Sequence, residues 1–454
     1  TAGPRDLPER QQTINATVAW SYQLLDSDER GVFRRLGALP GRFPVGAAAA
    51  VLRGAHRSVP RCTETLQSLA GLIDRSLLSK AESTLPNRPV FQMLETVRAY
   101  AALELSASGE REDAMEGMAA YCIREASAAG DGLVGPAQLD WLNRVRDDLD
   151  LYRGALAWLI ERGRAAEASQ IASNLLFFWV IRGHAAEGLR WLEQILSVPS
   201  LPQAAESHAL AVAGMLRYTQ GELGPAREAL ERACLIAERA GDGQTHVRAQ
   251  SLLGHVEHAS GHLKAARERF AASVEGSRAL SMPWSTGIAL AGLAWVALAT
   301  GDLDESERLL DESDSSLQVA GPWFLLLSLY IRAVLSVRRG DPDQAIKLAH
   351  QSLARISELH DKFAFVYALV PLAAAAVRKG DSAWAARILG AGEVMSEQTG
   401  AMMVDQSVLD LHRQTEREAR MRLGPSRWER EHAAGRRASV ESLLKEIERA
   451  VNTA

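Results

Sequence analysis

The chain repeats itself about every forty residues, and no other feature so restricts the folds open to it. Gly221-Glu222, Gly261-His262, Gly301-Asp302, Gly340-Asp341 and Gly380-Asp381 stand 40, 40, 39 and 40 residues apart. Each glycine closes a helical apolar run, such as AGMLRYTQ, and precedes a second, such as GPAREALERACLIAERAG. Glycine suits the left-handed residue that ends a helix. Gly241, Gly321 and Gly400 mark a second break about twenty residues on. The pattern predicts five units, each of two antiparallel helices of roughly 16–18 residues.

Fixed offsets from the turn glycine support that reading. Seven residues before it stand Gly214, Gly254, Ala294, Ala333 and Ala373; five after it stand Ala226, Ala266, Ser306, Ala345 and Ala385. Twelve after it stand Ala233, Ser273, Ser313, Ser352 and Gly392. All are small, which lets helix backbones approach where they cross. Leu230, Phe270, Leu310 and Leu389 are placed to fill the space between. A stack of this kind spreads the 47% hydrophobic content along a solenoid, so dividing the length by about 150 residues per domain misleads.

The small residue, the Gly-Asp/Glu turn and the following small positions resemble the tetratricopeptide repeat over about 200–400, with a longer period than the usual 34 or so. The resemblance implies a right-handed α-solenoid whose concave face is lined by the first helix of each pair. Pro371 falls inside the first helix of the last pair and is expected to kink it. Positions 13, 10, 6 and 3 residues before each glycine should face inward. The polar and aromatic members are His208, Met215, Tyr218, Arg248, His255, His258, Trp295, Tyr330 and Tyr367. Such a face suits a protein or peptide partner, or a small effector. Tight winding would instead make the same residues core. His255, His258 and His262 offer imidazoles, but the only acidic neighbour, Glu257, points elsewhere on the helix, so no metal site is expected.

Residues 1–110 do not follow the repeat. Helices are expected over Gln11–Leu25, Glu29–Leu36 (opened by Asp26 and Asp28), Pro44–Leu52 and Cys62–Asp74. Ser76–Glu82 and Pro89–Met93 flank a turn-rich STLPN and read as a hairpin, with a long helix from Leu94. Helices followed by such a wing form a winged-helix domain. The segments LPERQQTINATVAWSYQLLDSDERGVFRRLGALPGRF, LAGLIDRSLLSKAES and VFQMLETVRAYAALEL resemble bacterial signal-transduction ATPases of the STAND class. These include large ATP-binding LuxR-type regulators and antibiotic-regulatory-protein relatives. The likeness continues through WLNRVRDDLDLYRGALAWLIERG and FFWVIRGHAAEGLRWLEQIL to ARMRLGPSRWEREHAAGRRASVESLLKEIERAV. It implies an upstream ATPase module that binds ATP or ADP. The family's Met-His-Asp nucleotide sensor corresponds here to Met93, Leu94 and Glu95; leucine cannot donate a hydrogen bond, and Glu95 is expected instead to cap the helix it opens.

The resulting expectation is a mostly α chain: a winged-helix domain (1–110), a helical linker and solenoid cap (111–200), five repeats (201–400) and a C-terminal helical cap (401–454). Within the linker, helices over 164–182 and 184–197 should form an atypical capping repeat, with Trp158, Trp179 and Trp191 as core anchors. No GxxxxGK[ST] loop, nucleophile elbow or HExxH motif occurs, so no catalytic residue, cofactor or metal is assigned. The net charge of −5 and the neutral helix 62–74 argue against direct nucleic-acid binding; Arg53, His56, Arg57 and Arg61 are scattered. The longest nearly apolar run, Phe363–Val377, is short for a membrane span. Three distant cysteines suggest a reducing cytoplasm. The initial Thr suggests a piece of a longer protein. The expected role is the regulatory, partner-binding portion of a cytoplasmic transcriptional regulator; a free-standing scaffold or the regulatory tail of a nucleotide cyclase are the alternatives.

Overall fold

The computed structural model describes residues 17–53, 62–85, 88–399, 403 and 405–452. These fold as two compact units. The first holds the described residues up to Gly130 together with Asp140–Asn174; the second holds Asp131–Leu139 and the described residues from Leu175 onward.

The first unit is a winged helix extended by further helices. Residues 17–23 are helical (α1); the expected helix start at Gln11 lies outside the described residues. Then follow α2 (Ser27–Leu36), β1 (Arg42–Pro44), α3 (Val45–Arg53), α4 (Cys62–Asp74), β2 (Ser79–Ala81), β3 (Val90–Gln92) and α5 (Glu95–Ala107). Asp26 caps α2 in a full capping box with Glu29, and the two carboxylates accept from backbone N–H groups that the helix start would otherwise leave unpaired. The hairpin of β2 and β3 is the expected wing. It gains β1 on its other side, in the order β1-β3-β2, all antiparallel. The helices α6 (Arg111–Gly132), α7 (Gln138–Asp147), α8 (Leu149–Glu161) and α9 (Ala165–Asn174) complete this stretch.

Two expectations fail here. Glu95 does not cap α5: Leu94 is the N-cap without a side-chain bond, and the Glu95 carboxylate is drawn instead to Arg98 one turn on. The single helix expected over 164–182 breaks at Leu175, separating α9 from α10 (Leu176–Ile181).

In the second unit α10 and α11 (Ala185–Leu196) precede five helix pairs: α12 (Gln203–Thr219) with α13 (Leu223–Ala240), α14 (Gly243–Ala259) with α15 (Leu263–Ala279), α16 (Pro283–Thr300) with α17 (Leu303–Leu317), α18 (Phe324–Arg339) with α19 (Pro342–Leu359), and α20 (Lys362–Arg378) with α21 (Ser382–Thr399). The ten helices run 15–18 residues. Each turn glycine is left-handed, with φ of 82°, 78°, 89°, 80° and 88° at Gly221, Gly261, Gly301, Gly340 and Gly380. The chain is thus mostly helical, with a winged helix and a tetratricopeptide-like solenoid.

The small positions make the crossings. A Cβ on Gly214 would lie 2.5 Å from Leu230, and one on Gly254 2.7 Å from Phe270. At the position twelve after the glycine, Ser273 and Ser313 each donate to a carbonyl 26 residues back, Val247 at 3.1 Å and Gly287 at 2.8 Å. The hydroxyl therefore ties the second helix of a pair to the first at the same height in successive repeats. Gly321 departs from expectation. Its φ is not positive; it is small because the Gln138 side chain passes against it, where a Cβ would meet Gln138 at 2.7 Å. α20 carries Pro371 within one continuous helical span. Trp179 is fully buried in this unit, while Trp191 is half-buried.

Helices α22 (Gln406–Leu423), α23 (Pro425–Arg437) and α24 (Val440–Asn452) follow the repeats. One helix, Pro283–Thr300, is long and apolar enough to cross a membrane by length and composition, and two thirds of it is buried among its neighbours in the solenoid.

Candidate functional site

The first helices of the pairs, α12, α14, α16, α18 and α20, carry the inward positions, and the turn glycine fixes their register. Aspartates mark helix starts: Asp242 opens the first helix α14, Asp302, Asp341 and Asp381 open second helices, and each accepts a backbone N–H three residues on, at 2.9–3.1 Å. Six of the nine expected residues, Tyr218, His255, His258, Trp295, Tyr330 and Tyr367, meet across repeats; His208, Met215 and Arg248 lie outside this series. Tyr218 and His255 have ring centroids 6.4 Å apart, and His255 meets the Phe270 ring edge-on at 4.8 Å. Next, His258–Trp295, Trp295–Tyr330 and Tyr330–Tyr367 follow at 5.2, 5.2 and 5.9 Å. These rings form a ladder along the inner face.

None of the nine residues is exposed. His258, Trp295 and Tyr330 are buried; His208, Met215, Tyr218, Arg248, His255 and Tyr367 are half-buried. Part of the covering is the chain itself. Asp405 places its Oδ2 2.5 Å from His258 Nδ1, and Trp295 Nε1 donates to Ser407 Oγ at 3.0 Å. Ser407 in turn donates to Asp405 Oδ1 at 2.5 Å. Serine, histidine and aspartate thus sit together, but the hydroxyl faces the carboxylate. His258 Nε2, which would serve a serine nucleophile, is buried without a partner. The trio therefore lacks the serine-to-imidazole contact that activates a serine nucleophile.

Towards the other end, the Arg248 guanidinium lies 5.1 Å above the Trp284 ring, and its Nε is buried without a hydrogen bond. Burial lowers the Arg248 pKa, with Asp242 and Asp131 acting in the opposite direction. Burial, then the Arg248 cation, holds His208 down to about 4. Burial, then His258, does the same for His255. Phe177 packs against Trp284, Trp323 and Phe324 at 6.1, 5.6 and 4.9 Å. Gln138, fully buried, accepts from Trp323 N at 2.9 Å and donates to Leu133 O at 2.6 Å.

Asp405, Ser407, Phe177 and Trp284 were not among the expected site residues. Asp405 is legible as a helix cap, but nothing local tells which surface it meets 147 residues away. His262 is taken by Glu257 at 2.8 Å. Among the described residues no group of three or more His, Cys, Asp or Glu is placed to hold a metal ion. At the degenerate sensor, Met93 is buried while Leu94 is 68% exposed.

Comparison with known proteins locates the first unit. Residues 25–106 match the family model described as a winged helix-turn-helix domain. A Mycobacterium tuberculosis protein classed by inference as an HTH-type transcriptional regulator is 32% identical over 300 residues, covering 62% of this chain and 32% of the relative; a Mycobacterium bovis protein matches equally. A second Mycobacterium tuberculosis protein, of no stated function, is 35% identical over 102 residues, covering 22% of this chain and 25% of its own. The chain therefore spans about a third of the length of the regulators it matches. Among solved structures, a STAND protein with a tetratricopeptide repeat sensor from Pyrococcus horikoshii aligns over 96% of this chain and 67% of its own, at 12% identity and a TM-score of 0.46. A Rap protein solved with competence and sporulation factor aligns over 67% of this chain and 99% of its own, at 10% identity and a TM-score of 0.40. The chain thus carries a winged helix-turn-helix domain and is similar to proteins classed by inference as HTH-type transcriptional regulators.

Proposed function

We propose that this chain is the non-catalytic regulatory part of a longer, cytoplasmic transcriptional regulator of the STAND type. In this reading the winged helix transmits state to an ATPase module elsewhere in the protein, and the inner face of the solenoid receives a protein, peptide or small effector. The observation that carries the reading is the surface of the winged helix. The exposed side of α4, where a DNA-reading helix needs Arg, Lys or Asn, presents Glu64, Leu66, Gln67, Ala70 and Asp74. Meanwhile Trp20, Leu24, Leu94 and Leu103 stand 60–70% exposed. That surface suits a protein neighbour better than a phosphate backbone. Arg75 is engaged by Glu29, and Arg88 by Asp148; His56, Arg57 and Arg61 lie outside the described residues.

The test uses the whole reading frame. A phosphate-binding GxxxxGK[ST] loop is expected upstream. With Leu24→Glu and Leu103→Glu together, effector should still bind but no longer change nucleotide turnover. Turnover that stays effector-responsive overturns the coupling role. Effector binding untouched by both Trp295→Ala and Tyr330→Ala overturns the assignment of the inner face. This chain alone should hydrolyse no ATP and bind no duplex DNA; turnover by it, or a salt-sensitive DNA shift, would remove the respective part of the proposal.

A further inference from the structure

The inner face already has an occupant, the start of α22. Asp405 is 2% exposed and His258 3%. One Asp405 oxygen meets His258; the other caps its own helix, accepting from Ser407 N at 2.9 Å and Val408 N at 3.2 Å. Ser407 Oγ accepts from the Trp295 indole. Behind these polar contacts Val408 is buried, and Met403 and Leu411 pack on the cluster of Trp295, Tyr330 and Val370. The inner faces of α14 and α16 therefore recognise three things at once: a carboxylate at a helix N-cap, a hydroxyl two residues later, and an apolar side of the helix that follows.

We propose that Met403 and residues 405–411 are an internal stand-in for the partner, and that the inner face is built to receive the first turn of an amphipathic helix opening Asp-X-Ser. This rests on the reading of that face as a partner site and names the partner's chemistry. Two observations favour exchange over a permanent seal. First, α22 has a separate anchor: Arg422 near its C-terminal end donates to Val377 O at 2.7 Å, so the start of the helix can leave while its end stays. Second, the seat is not filled to satisfaction: His258 Nε2 and, on the same helix, Ser251 Oγ are buried without partners. A buried polar contact such as that of His258 with Asp405 adds little stability over well-packed apolar groups, so its presence speaks more for recognition. The tethered segment has a high effective concentration. A partner must therefore match its contacts and add others, which sets a threshold for response.

The test takes the full chain and a labelled twelve-residue peptide, MVDQSVLDLHRQ, copied from 403–414. Asp405→Ala with Ser407→Ala should raise hydrogen exchange at least about tenfold over 406–412 and leave 416–423 unchanged. The same variant should bind the peptide at least about tenfold more tightly than the parent chain. Adding His258→Gln should lose that gain, as should replacing the peptide's Asp by Asn. If the double variant does not fold, Asp405→Asn, which retains a good N-cap, carries the same measurements. Equal peptide binding by parent and variant, indifference to His258→Gln, or unchanged exchange overturns the proposal. So does millimolar inorganic phosphate raising exchange where the peptide does not bind. If the peptide exchanges as expected while the whole protein's effector ignores Trp295→Ala and Tyr330→Ala, the assignment of the effector to this face falls and the internal exchange stands. If effector binding needs those rings but the peptide fails, only the stand-in falls.

Discussion

Gly435 lies so close to Arg387 that a Cβ placed on it would meet the Arg387 carbonyl oxygen at 2.0 Å. The crossing is reciprocal, because a Cβ on Gly390 would meet the His432 carbonyl oxygen at 2.3 Å. Two glycines thus let α23 sit on α21, backbone against backbone, where the repeat array ends. Mid-helix Gly→Ala ordinarily gains about 0.5–1 kcal/mol. At Gly435 the obstacle is backbone and cannot rotate away, so the sign should invert. Gly435→Ala is expected to lose about 1–3 kcal/mol and several degrees of Tm, read by urea and thermal unfolding. A neutral or stabilising result would mean that α23 does not dock here.

The repeat glycines divide into two kinds that separate experimentally. Gly340 has φ of 80° and no atom within 4 Å of the place a Cβ would take. Gly340→Ala then costs only left-handed strain, about 1–2 kcal/mol. Gly254 is helical, and its Cβ would strike the fully buried Phe270 ring. Gly254→Ala should cost about 1–3 kcal/mol, and Phe270→Leu should relieve part of it. A double-mutant cycle by urea unfolding reads the coupling. For Gly340 with Phe270 it should vanish; equal coupling in both cycles would contradict the assigned roles.

The same division explains what the sequence disclosed. A left-handed helix end demands glycine strongly enough to leave a period, and close crossings demand small residues, so the five pairs were legible with their lengths. The turns between repeats were less so. Ser281 and His360 take φ of 53° there without being glycine, and they broke the twenty-residue pattern. The strand β1 has only three residues, too few to show a period. The break at Leu175 has no glycine or proline to announce it. The positions whose rings meet across repeats could be picked out because register follows from the period. Their covering by Asp405 and Ser407 was not, since long-range contact leaves no mark at either end.

Two inner-face histidines should make the second unit acid-sensitive. Burial, aided by Arg248, holds His208 at about 4, and burial, aided by His258, holds His255 at about 4. Asp242 opposes the shift at His208, and Asp405 opposes it at His255. In the unfolded chain an imidazole titrates near 6.5 or so. As pH falls below that value the unfolded state takes up protons that the folded state refuses. Stability is therefore full above about 6.5, declines towards 4, and is constant below. Each histidine contributes on the order of 3 kcal/mol across the window. Urea midpoints at several pH values between 7 and 4 should fall for the parent chain and fall less for His208→Gln with His255→Gln. Parallel curves would show that neither imidazole is held neutral.

In the first unit the sharpest dependence should fall on Asp148. Arg88, just before β3, forms an ion pair with Asp148, and the Tyr121 hydroxyl donates to the same oxygen at 3.2 Å. Asp148 is 3% exposed. Burial pushes its pKa up, with the hydrogen bond and charge of Arg88 opposing. Deleting the carboxylate leaves a largely buried guanidinium with only the phenol beside it. Asp148→Ala is therefore expected to cost about 3–5 kcal/mol, whereas removing both charges, Arg88→Met with Asp148→Leu, should cost far less because no orphaned ion remains. The two variants are compared by urea unfolding. If the double variant is as unstable as Asp148→Ala, the loss comes from packing around Tyr121, and the ion pair is not what holds the wing to the helix that Asp148 opens.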